Sequence, residues 1–252
     1  MKIGIIGAMP EEMHLVIGAM ADKQETHIAH RTFIEGRLEG KDVVVVMSRW
    51  GKVAAAQTAT TLIERYGATH VMFTGVAGGV DPSLNVGDVV IGTELVQHDM
   101  DVSPVPPFRR FEVPLLGISH FKSDARMVEL ADAAAKDYIK TDLPQEIPAD
   151  LLEEFLMTSP KVVRGLIASG DQFIASDAKL AELRRDLPET LCIEMEGAAV
   201  AQVCYEHDVP FVIIRSLSDK ADHSAPIDFP GYLEHVASFI TKGITLRMLA
   251  AM

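Results

Sequence analysis

The chain has 252 residues, of which 48% are hydrophobic, so it can bury a sizeable core. Its 36 acidic and 23 basic residues give a formal net charge of -13, which argues against a nucleic-acid binder and against an anionic membrane surface. No apolar run approaches the roughly 18 residues of a membrane span, and the short N-terminal run lacks a signal-peptide pattern. Because Cys192 and Cys204 lack disulfide or metal spacing, we expect buried thiols in a cytoplasmic protein.

Strands and helices alternate in the first half of the sequence. Residues 2–6 are typical of a buried strand, and after a turn at residues 7–9, Pro10 suits the first position of a helix. Glu11 and Glu12 then fall in the first helical turn, where an acid complements the helix dipole or faces a pocket at the end of the strand. Further strands are expected at residues 33–38, 42–48, 70–74 and 86–95, and a helix at residues 53–66.

The second half continues the alternation with two interruptions. The proline-rich stretch from Pro104 to Pro114 predicts a lid or interface loop. Residues 141–160 carry three prolines around a short helical piece at residues 151–157, and we interpret them as a surface insertion within one domain. Strands are expected at residues 162–169, 191–193 and 211–216, and helices at residues 124–138, 177–185, 197–207 and 232–248.

This order of elements predicts the fold class. Alternating strands and helices favour a central mixed, mostly parallel sheet flanked by helices. We therefore expect an α/β protein, a three-layer α/β/α sandwich formed by a single domain over residues 1–252.

Glu194-Met195-Glu196 is the most distinctive short motif. In an extended backbone its two carboxylates point to the same side, and Gly197 with the small residues after it begins a helical pattern. The acids thus lie where a strand gives way to a helix, the usual place for ligands in an open α/β sheet. The plain alternative is a pair of solvated acids at an exposed strand end.

Three other motifs are weaker evidence when each is taken alone. Residues 75–79 form a glycine-rich turn that lets the backbone approach a ligand, but it lacks the Lys-Ser/Thr of a phosphate loop. His98, Asp99 and Asp101 have no partner His or Cys at ligand spacing, so we expect no metal and no cofactor. The glycines at positions 4 and 7 do not extend to the dinucleotide-binding pattern, which disfavours a dehydrogenase.

Four segments at the ends of predicted strands together resemble one family. In order along the chain they are Gly4–Glu12, Thr74–Gly79, Ser169–Phe173, and Glu194–Glu196 with Arg215–Asp219. The combination is similar to the 5′-methylthioadenosine/S-adenosylhomocysteine nucleosidases of the purine nucleoside phosphorylase superfamily. The likeness runs from Met1 to the closing helix and is weakest at residues 104–121 and 141–160.

The resemblance implies a fold, an activity and partners. The fold is a central mixed sheet between helices. The activity is cleavage of an N-ribosidic bond by water, which releases adenine from 5′-methylthioadenosine and S-adenosylhomocysteine in methionine salvage and methyl-cycle clean-up. The implied partners are a small adenine nucleoside and a second subunit of a homodimer.

The resemblance also implies site residues. Glu12 would activate the water, Asp219 would protonate adenine N7, and Glu196 would hold the ribose hydroxyls. The other roles it implies are contact with the sugar (Met195), stacking on the purine (Phe173), reading of the purine edge (Ile174), support of Asp219 and the water site (Ser218, Arg215), and the pocket for the 5′-substituent (Met9, Trp50, Phe229, and Val102 of the neighbouring subunit).

Elementary chemistry supports this division of roles. Nucleoside cleavage passes through an oxocarbenium-like sugar, so one group must neutralise the leaving base while another delivers water. Burial would give Asp219 the raised pKa that a general acid needs, whereas Glu12 must stay ionised. Glu196 would add negative charge beside the developing cation. We expect Glu194 to be structural, as a partner of Arg215.

Three departures from the family pattern bear on the substrate. Val76 stands where relatives often place a small hydroxyl residue, Trp50 replaces a smaller apolar residue, and the segment 141–160 is longer than in compact relatives. Three alternatives stay open at this point: a nucleosidase for another adenine nucleoside such as futalosine, a phosphate-dependent phosphorylase, and a non-catalytic nucleoside-binding protein. The turn at residues 7–12 carries acids and no arginine, which disfavours phosphate.

Overall fold

Strands and helices alternate along the chain in the computed structural model, which describes residues 1–157 and 159–252, and within them all side chains except those of residues 226–228. The strands are β1 (Lys2–Gly7), β2 (Ala21–Ile28), β3 (Arg31–Leu38), β4 (Lys41–Met47), β5 (His70–Gly79), β6 (Val89–Gln97), β7 (His120–Lys122), β8 (Val162–Ser169), β9 (Thr190–Glu194) and β10 (Phe211–Asp219). The helices are α1 (Pro10–Ala19), α2 (Lys52–Tyr66), α3 (Ala125–Thr141), α4 (Leu143–Glu146), α5 (Ala149–Glu154), α6 (Asp177–Asp186), α7 (Gly197–Glu206), α8 (Ala225–Tyr232) and α9 (Ser238–Ala251).

The strands form one mixed sheet, as the sequence predicts. Its order is β10-β6-β8-β9-β5-β1-β4-β3-β2, and β7 pairs with β6. Parallel pairing joins β1 to β4 and β5 at the centre, while the outer β2, β3 and β4 pair antiparallel. An additional pairing of β10 with β5 closes β5, β9, β8, β6 and β10 into a ring. This closure curls half of the sheet around the ends of β5 and β10.

Helices cover the sheet in two groups. In one group, α9 packs against α1 and α3, and in the other, α2 packs against α7. Because α1 and α2 both contact β1 and β4 but belong to different groups, the sheet lies between them. The predicted α/β/α arrangement is therefore confirmed. The core includes β4, where Val43, Val44, Val45 and Val46 are all buried.

Several element boundaries differ from the predicted ones, each for a local reason. The β2 strand was not predicted because its side chains are polar and almost all exposed, so no apolar alternation marks it. The strand β5 continues through the glycine-rich turn to Gly79, since β9 and β10 supply backbone partners there. The closing helix begins earlier than predicted, at Ala225, and a π-helical turn at Leu233–Ala237 separates α8 from α9.

The predicted interruptions have the following structure. Residues 141–160, of which Thr158 lies outside the described residues, contain the short helices α4 and α5, and the helical piece expected at residues 151–157 is α5 at Ala149–Glu154. The described residues of the proline-rich stretch 104–114 form turns without a helix or strand. No helix of the part described is both long and apolar enough to cross a membrane.

Candidate active site

A cavity of about 580 Å³ opens where β1, β5, β9 and β10 end. Every site residue predicted from the sequence, except Val102, lines it. The lining residues are Ala8, Met9, Glu12, Trp50, Val76, Ala77, Gly78, Gln172, Phe173, Ile174, Ile193, Glu194, Met195, Glu196, Arg215, Ser218, Asp219, Ala221 and Phe229. The fold thus gathers side chains from positions 8 to 229 around one space.

Glu12 is buried in the first turn of α1 and is held by backbone donors. Its Oε2 atom accepts hydrogen bonds from the N–H groups of Ala8 (2.7 Å) and Met9 (3.0 Å), and its Oε1 atom accepts one from Val76 (3.0 Å). Burial raises the pKa of Glu12, while the charge of Arg215 and these three hydrogen bonds oppose the rise. The carboxylate is therefore fixed in orientation and is poised as a base.

Gly75 is one position of the glycine-rich segment at which the structure requires a glycine. A Cβ atom at this position would lie 2.5 Å from Oε1 of Glu12 and 2.9 Å from a guanidinium nitrogen of Arg215. Any larger residue on β5 would therefore displace the carboxylate or the guanidinium. The close backbone approach that the glycines predict serves Glu12 directly.

Glu194 is a structural anchor, and the predicted pairing with Arg215 is confirmed. Its carboxylate forms a buried ion pair with Arg215 and accepts a hydrogen bond from the hydroxyl of Ser169. It also accepts hydrogen bonds from the N–H groups of Gly197 (2.7 Å) and Glu196 (3.2 Å), which satisfies the start of α7. The Arg215 guanidinium lies 4.1 Å above the ring of Phe73.

Glu196 is the second acid of the motif and has a different environment. Its Oε1 atom accepts a hydrogen bond from the N–H of Gly51 (2.8 Å), and the side chain is 6% exposed. Burial, together with the nearby charge of Glu194, raises the pKa of Glu196 to about 8, although Arg215 opposes the shift. Among the described residues, backbone N–H groups thus bind one oxygen of Glu196 but both oxygens of Glu12. The carboxylate of Glu196 faces the cavity.

Asp219 ends β10 and is also buried. Its Oδ2 atom accepts a hydrogen bond from the hydroxyl of Ser218 (2.8 Å), and its Oδ1 atom accepts one from the N–H of Ala221 (2.8 Å). Ser218 therefore supports Asp219 as predicted. Arg215 was expected to support Asp219 and the water site: it forms its ion pair with Glu194, and its charge acts on Glu12, the residue expected at the water site, while its support of Asp219 stays a prediction.

Three aromatic side chains form one wall of the cavity. The ring of Phe229 meets the ring of Phe173 edge-on at 5.6 Å and that of Trp50 at 6.3 Å. Phe173 and Trp50 are about half exposed, at 45% and 53%. Stacking surface is thus available to a flat ligand on the open side of the cavity.

The hydrogen bonds that hold the loop at Trp50 and Gly51 in place were not predicted from the sequence. The N–H of Lys52 donates to Asp171 (2.8 Å), and the Lys52 ammonium donates to Asp99 (2.5 Å) and Gln97 (3.1 Å). Gly51 has a φ of 92°, a left-handed conformation that favours glycine, and its N–H thereby reaches Glu196. The only sequence signal for these contacts is the glycine before a helix, because the residues that Gly51 and Lys52 contact lie far away in the sequence.

Two expectations from the sequence concern residues outside the cavity. Val102 is half-buried and does not line the cavity of its own chain, so its predicted role in a neighbouring subunit stays a prediction. Among the described residues, the one cluster with metal-ligand geometry is Asp177, Asp222 and His223, and none of these lines the cavity. Asp99, singled out with His98 and Asp101, instead accepts hydrogen bonds from Lys52 and from the N–H of Asp171.

This arrangement suits cleavage of a glycosidic bond. Two buried carboxylates enter from different elements, Glu12 from α1 and Asp219 from β10. A third carboxylate, that of Glu196, faces the space between them, and an aromatic wall lies alongside. Among the described lining residues, the single basic side chain is Arg215, which is already paired. Such a cavity suits a neutral ligand that develops positive charge, and it disfavours a phosphate anion.

Comparisons with known proteins agree with this geometry. The model of the Phosphorylase superfamily matches residues 2–249. The chain is 42% identical over 236 residues to a 5′-methylthioadenosine/S-adenosylhomocysteine nucleosidase from Shewanella frigidimarina, with 92% of each chain covered. It superposes on a nucleosidase of the same name from Neisseria meningitidis, in complex with methylthio-immucillin-A, with a TM-score of 0.87, 35% identity and coverage of 100% and 99%. A futalosine hydrolase from Helicobacter pylori gives a TM-score of 0.85, 30% identity and coverage of 100% and 98%. The chain therefore belongs to the 5′-methylthioadenosine/S-adenosylhomocysteine nucleosidase family of the phosphorylase superfamily.

Proposed function

We propose that this enzyme hydrolyses the N-ribosidic bond of 5′-methylthioadenosine and S-adenosylhomocysteine, releasing adenine and the 5′-substituted ribose in methionine salvage and methyl-cycle clean-up. The main support is that Glu12, Glu196 and Asp219 line one cavity beside an aromatic wall. Similarity to nucleosidases of this family over nearly the whole chain supports the same reaction.

In the proposed mechanism, Glu12 removes a proton from water as the oxygen attacks C1′ of the ribose. The bond between C1′ and N9 breaks, and its electron pair goes to the adenine ring. Asp219 donates a proton to N7, so that the base leaves neutral. In its ionised form, Glu196 accepts hydrogen bonds from the ribose hydroxyls, and its negative charge stabilises the positive charge on the sugar.

The remaining lining residues complete the proposed substrate site. Phe173 stacks on the purine, backbone groups of Ile174 read its edge, and Met195 contacts the sugar. The 5′-substituent lies against Met9, Trp50 and Phe229. The side chain of Val76 faces the cavity without a hydroxyl to offer, while its N–H serves Glu12.

A futalosine-type nucleoside is the second candidate substrate. The specific observation in its favour is the similarity to a futalosine hydrolase over the full chain. Steady-state release of the free purine base from 5′-methylthioadenosine, S-adenosylhomocysteine, 5′-deoxyadenosine and futalosine distinguishes the candidates. We expect the highest kcat/KM with one of the first two. A higher value with futalosine would reassign the substrate, and no turnover with any of them would overturn the enzyme proposal.

We further propose a cytoplasmic homodimer. Large apolar side chains are exposed on neighbouring elements, including Val53 on α2 (80%), Leu115 (94%) and Tyr205 on α7 (47%), as a dimer surface requires. Both cysteines are free and buried, which suits a reducing compartment.

Subunit complementation tests the dimer and the role of Val102 together. Val102→Asp and Glu12→Gln are each expected to be weak, but a mixed dimer contains one site with both native residues. Co-expression should therefore restore about a quarter of wild-type activity, the statistical share of such sites in a symmetric dimer. Failure to exceed the two parent variants would contradict a trans role for Val102.

A further inference from the structure

The segment 141–160 is fixed to the body of the protein at both ends. Near its start, Glu146 accepts hydrogen bonds from the hydroxyl of Tyr138 on α3 (3.0 Å) and from the ammonium of Lys242 on α9 (2.6 Å). Near its end, Met157 is 3% exposed, and its Cγ would lie 2.5 Å from a Cβ placed at Gly87. The segment is therefore a docked element, in which α5 has a defined position.

Phe155, which follows α5, is the point where this segment meets α8. Its ring packs edge-on against the ring of Tyr232 at 5.7 Å, with an angle of 88° between the planes. Its Cζ atom also covers Gly231, where a Cβ would lie 3.4 Å away. Tyr232 is fully buried, so Phe155 closes one side of the packing around the C-terminal end of α8.

The same helix carries part of the cavity wall. Phe229 lies three residues before Tyr232, which is one helical turn, and its ring contacts Phe173 and Trp50. A shift at the end of α8 would therefore move the ring of Phe229 relative to the other two aromatics. The proposed acid and base are on other elements, α1 and β10, and need not follow.

We propose that Phe155 is a positioning residue for Phe229, which makes the segment 141–160 a determinant of how tightly the enzyme binds the 5′-substituent of its substrate. The inference rests on the proposed function, in which Phe229 lines the 5′-pocket. The contact is not needed for cleavage itself. Its loss should thus appear in KM for substrates with an apolar 5′-substituent, and much less in kcat.

The test compares KM and kcat for 5′-methylthioadenosine and for 5′-deoxyadenosine, which lacks the thioether. Phe155→Ala should raise KM for the first by about tenfold, the scale of one lost apolar contact in a pocket, and leave KM for the second nearly unchanged. Phe155→Leu, which keeps a large apolar side chain, should have a KM for 5′-methylthioadenosine much closer to that of wild type. Leu156→Ala is the matched control, because Leu156 is the next residue in the chain and is 78% exposed.

Phe229→Ala separates failure of this inference from failure of the proposed pocket. If Phe229→Ala raises KM selectively for the thioether substrate and Phe155→Ala does not, the positioning role is wrong. If Phe229→Ala has no selective effect, the 5′-pocket assignment is wrong and the inference falls with it. Should Phe155→Ala fail to fold, as judged by circular dichroism, Phe155→Val takes its place, and a KM of that variant for 5′-methylthioadenosine equal to that of wild type would overturn the proposal.

Discussion

Two buried carboxylates of the same residue type are prepared for different tasks by their immediate partners. Glu12 has both oxygens occupied by backbone N–H groups, which fix it and moderate the effect of burial on its pKa. Glu196 accepts one such bond and lies beside the charge of Glu194, so its pKa rises to about 8. These differences are consistent with a fixed base and a carboxylate that still has room for ligand hydroxyls.

Isosteric amides test the proposed acid and base. Glu12→Gln and Asp219→Asn should each lower kcat for adenine release by roughly 100- to 10,000-fold, the usual contribution of a general acid or base. A 4-nitrophenyl riboside provides an internal control, because nitrophenolate leaves without protonation. With that substrate, Asp219→Asn should recover most of its activity and Glu12→Gln should not. Equal losses with both leaving groups would contradict the role of Asp219 as the acid.

The shifted pKa of Glu196 predicts a dependence of stability on pH. In the ligand-free folded protein, burial and the charge of Glu194 raise the pKa of Glu196 to about 8, whereas in the unfolded chain it lies near the ordinary value of 4.5. The folded state therefore loses stability relative to the unfolded state as the pH rises between these values. Thermal unfolding of ligand-free protein should show Tm of the wild type falling relative to that of Glu196→Gln from pH 5 to pH 8. A constant difference in Tm would contradict the raised pKa.

At the scale of elements, the site depends on how α7 joins β9. Glu194 at the end of β9 satisfies N–H groups at the start of α7 and neutralises the buried Arg215 of β10. One side chain thus holds together a strand, the following helix and a neighbouring strand. The pair was expected from the sequence, and the structure forms it between the end of β9 and the middle of β10.

Breaking this pair should be costly. Glu194→Gln leaves Arg215 without its ion-pair partner and should lower the free energy of unfolding by about 3 kcal/mol or more. The matched control is Glu35→Gln, which removes a partly exposed ion pair with Lys2 and should cost less than about 1 kcal/mol. Urea unfolding measures both changes, and equal effects of the two substitutions would contradict the anchoring role of Glu194.

The sequence predicted the acids better than the groups that orient them. Glu12, Glu196 and Asp219 lie near the ends of predicted strands, so a common edge of the sheet could be expected for them, but it was the family resemblance that singled out these three acids. The Gly51 N–H and the Lys52–Asp171 contact could not, because they depend on how loops from distant parts of the chain meet. The polar strand β2 was not predicted for a related reason. It is a strand because it pairs with β3, and its own sequence shows no alternation of apolar and polar residues.

At the scale of the whole molecule, the curled sheet explains why one cavity collects residues from both ends of the chain. The pairing of β10 with β5 brings Asp219 opposite Gly78 and thus near the turn that accommodates Glu12. A mixed sheet was predicted, but its closure was not, because register between strands 140 residues apart leaves no local pattern. The description of residues 1–252 as one domain with an insertion stays a prediction.

The central claim is that water, and not phosphate, attacks the ribose. Paired Arg215 and the surrounding carboxylates leave no free cation among the described lining residues to bind phosphate. The direct measurement is the rate of adenine release from 5′-methylthioadenosine in phosphate-free buffer and in buffer with phosphate, with the sugar product identified by mass spectrometry. We expect equal rates and a free 5-substituted ribose in both buffers. A rate that requires phosphate, with a ribose 1-phosphate product, would contradict it.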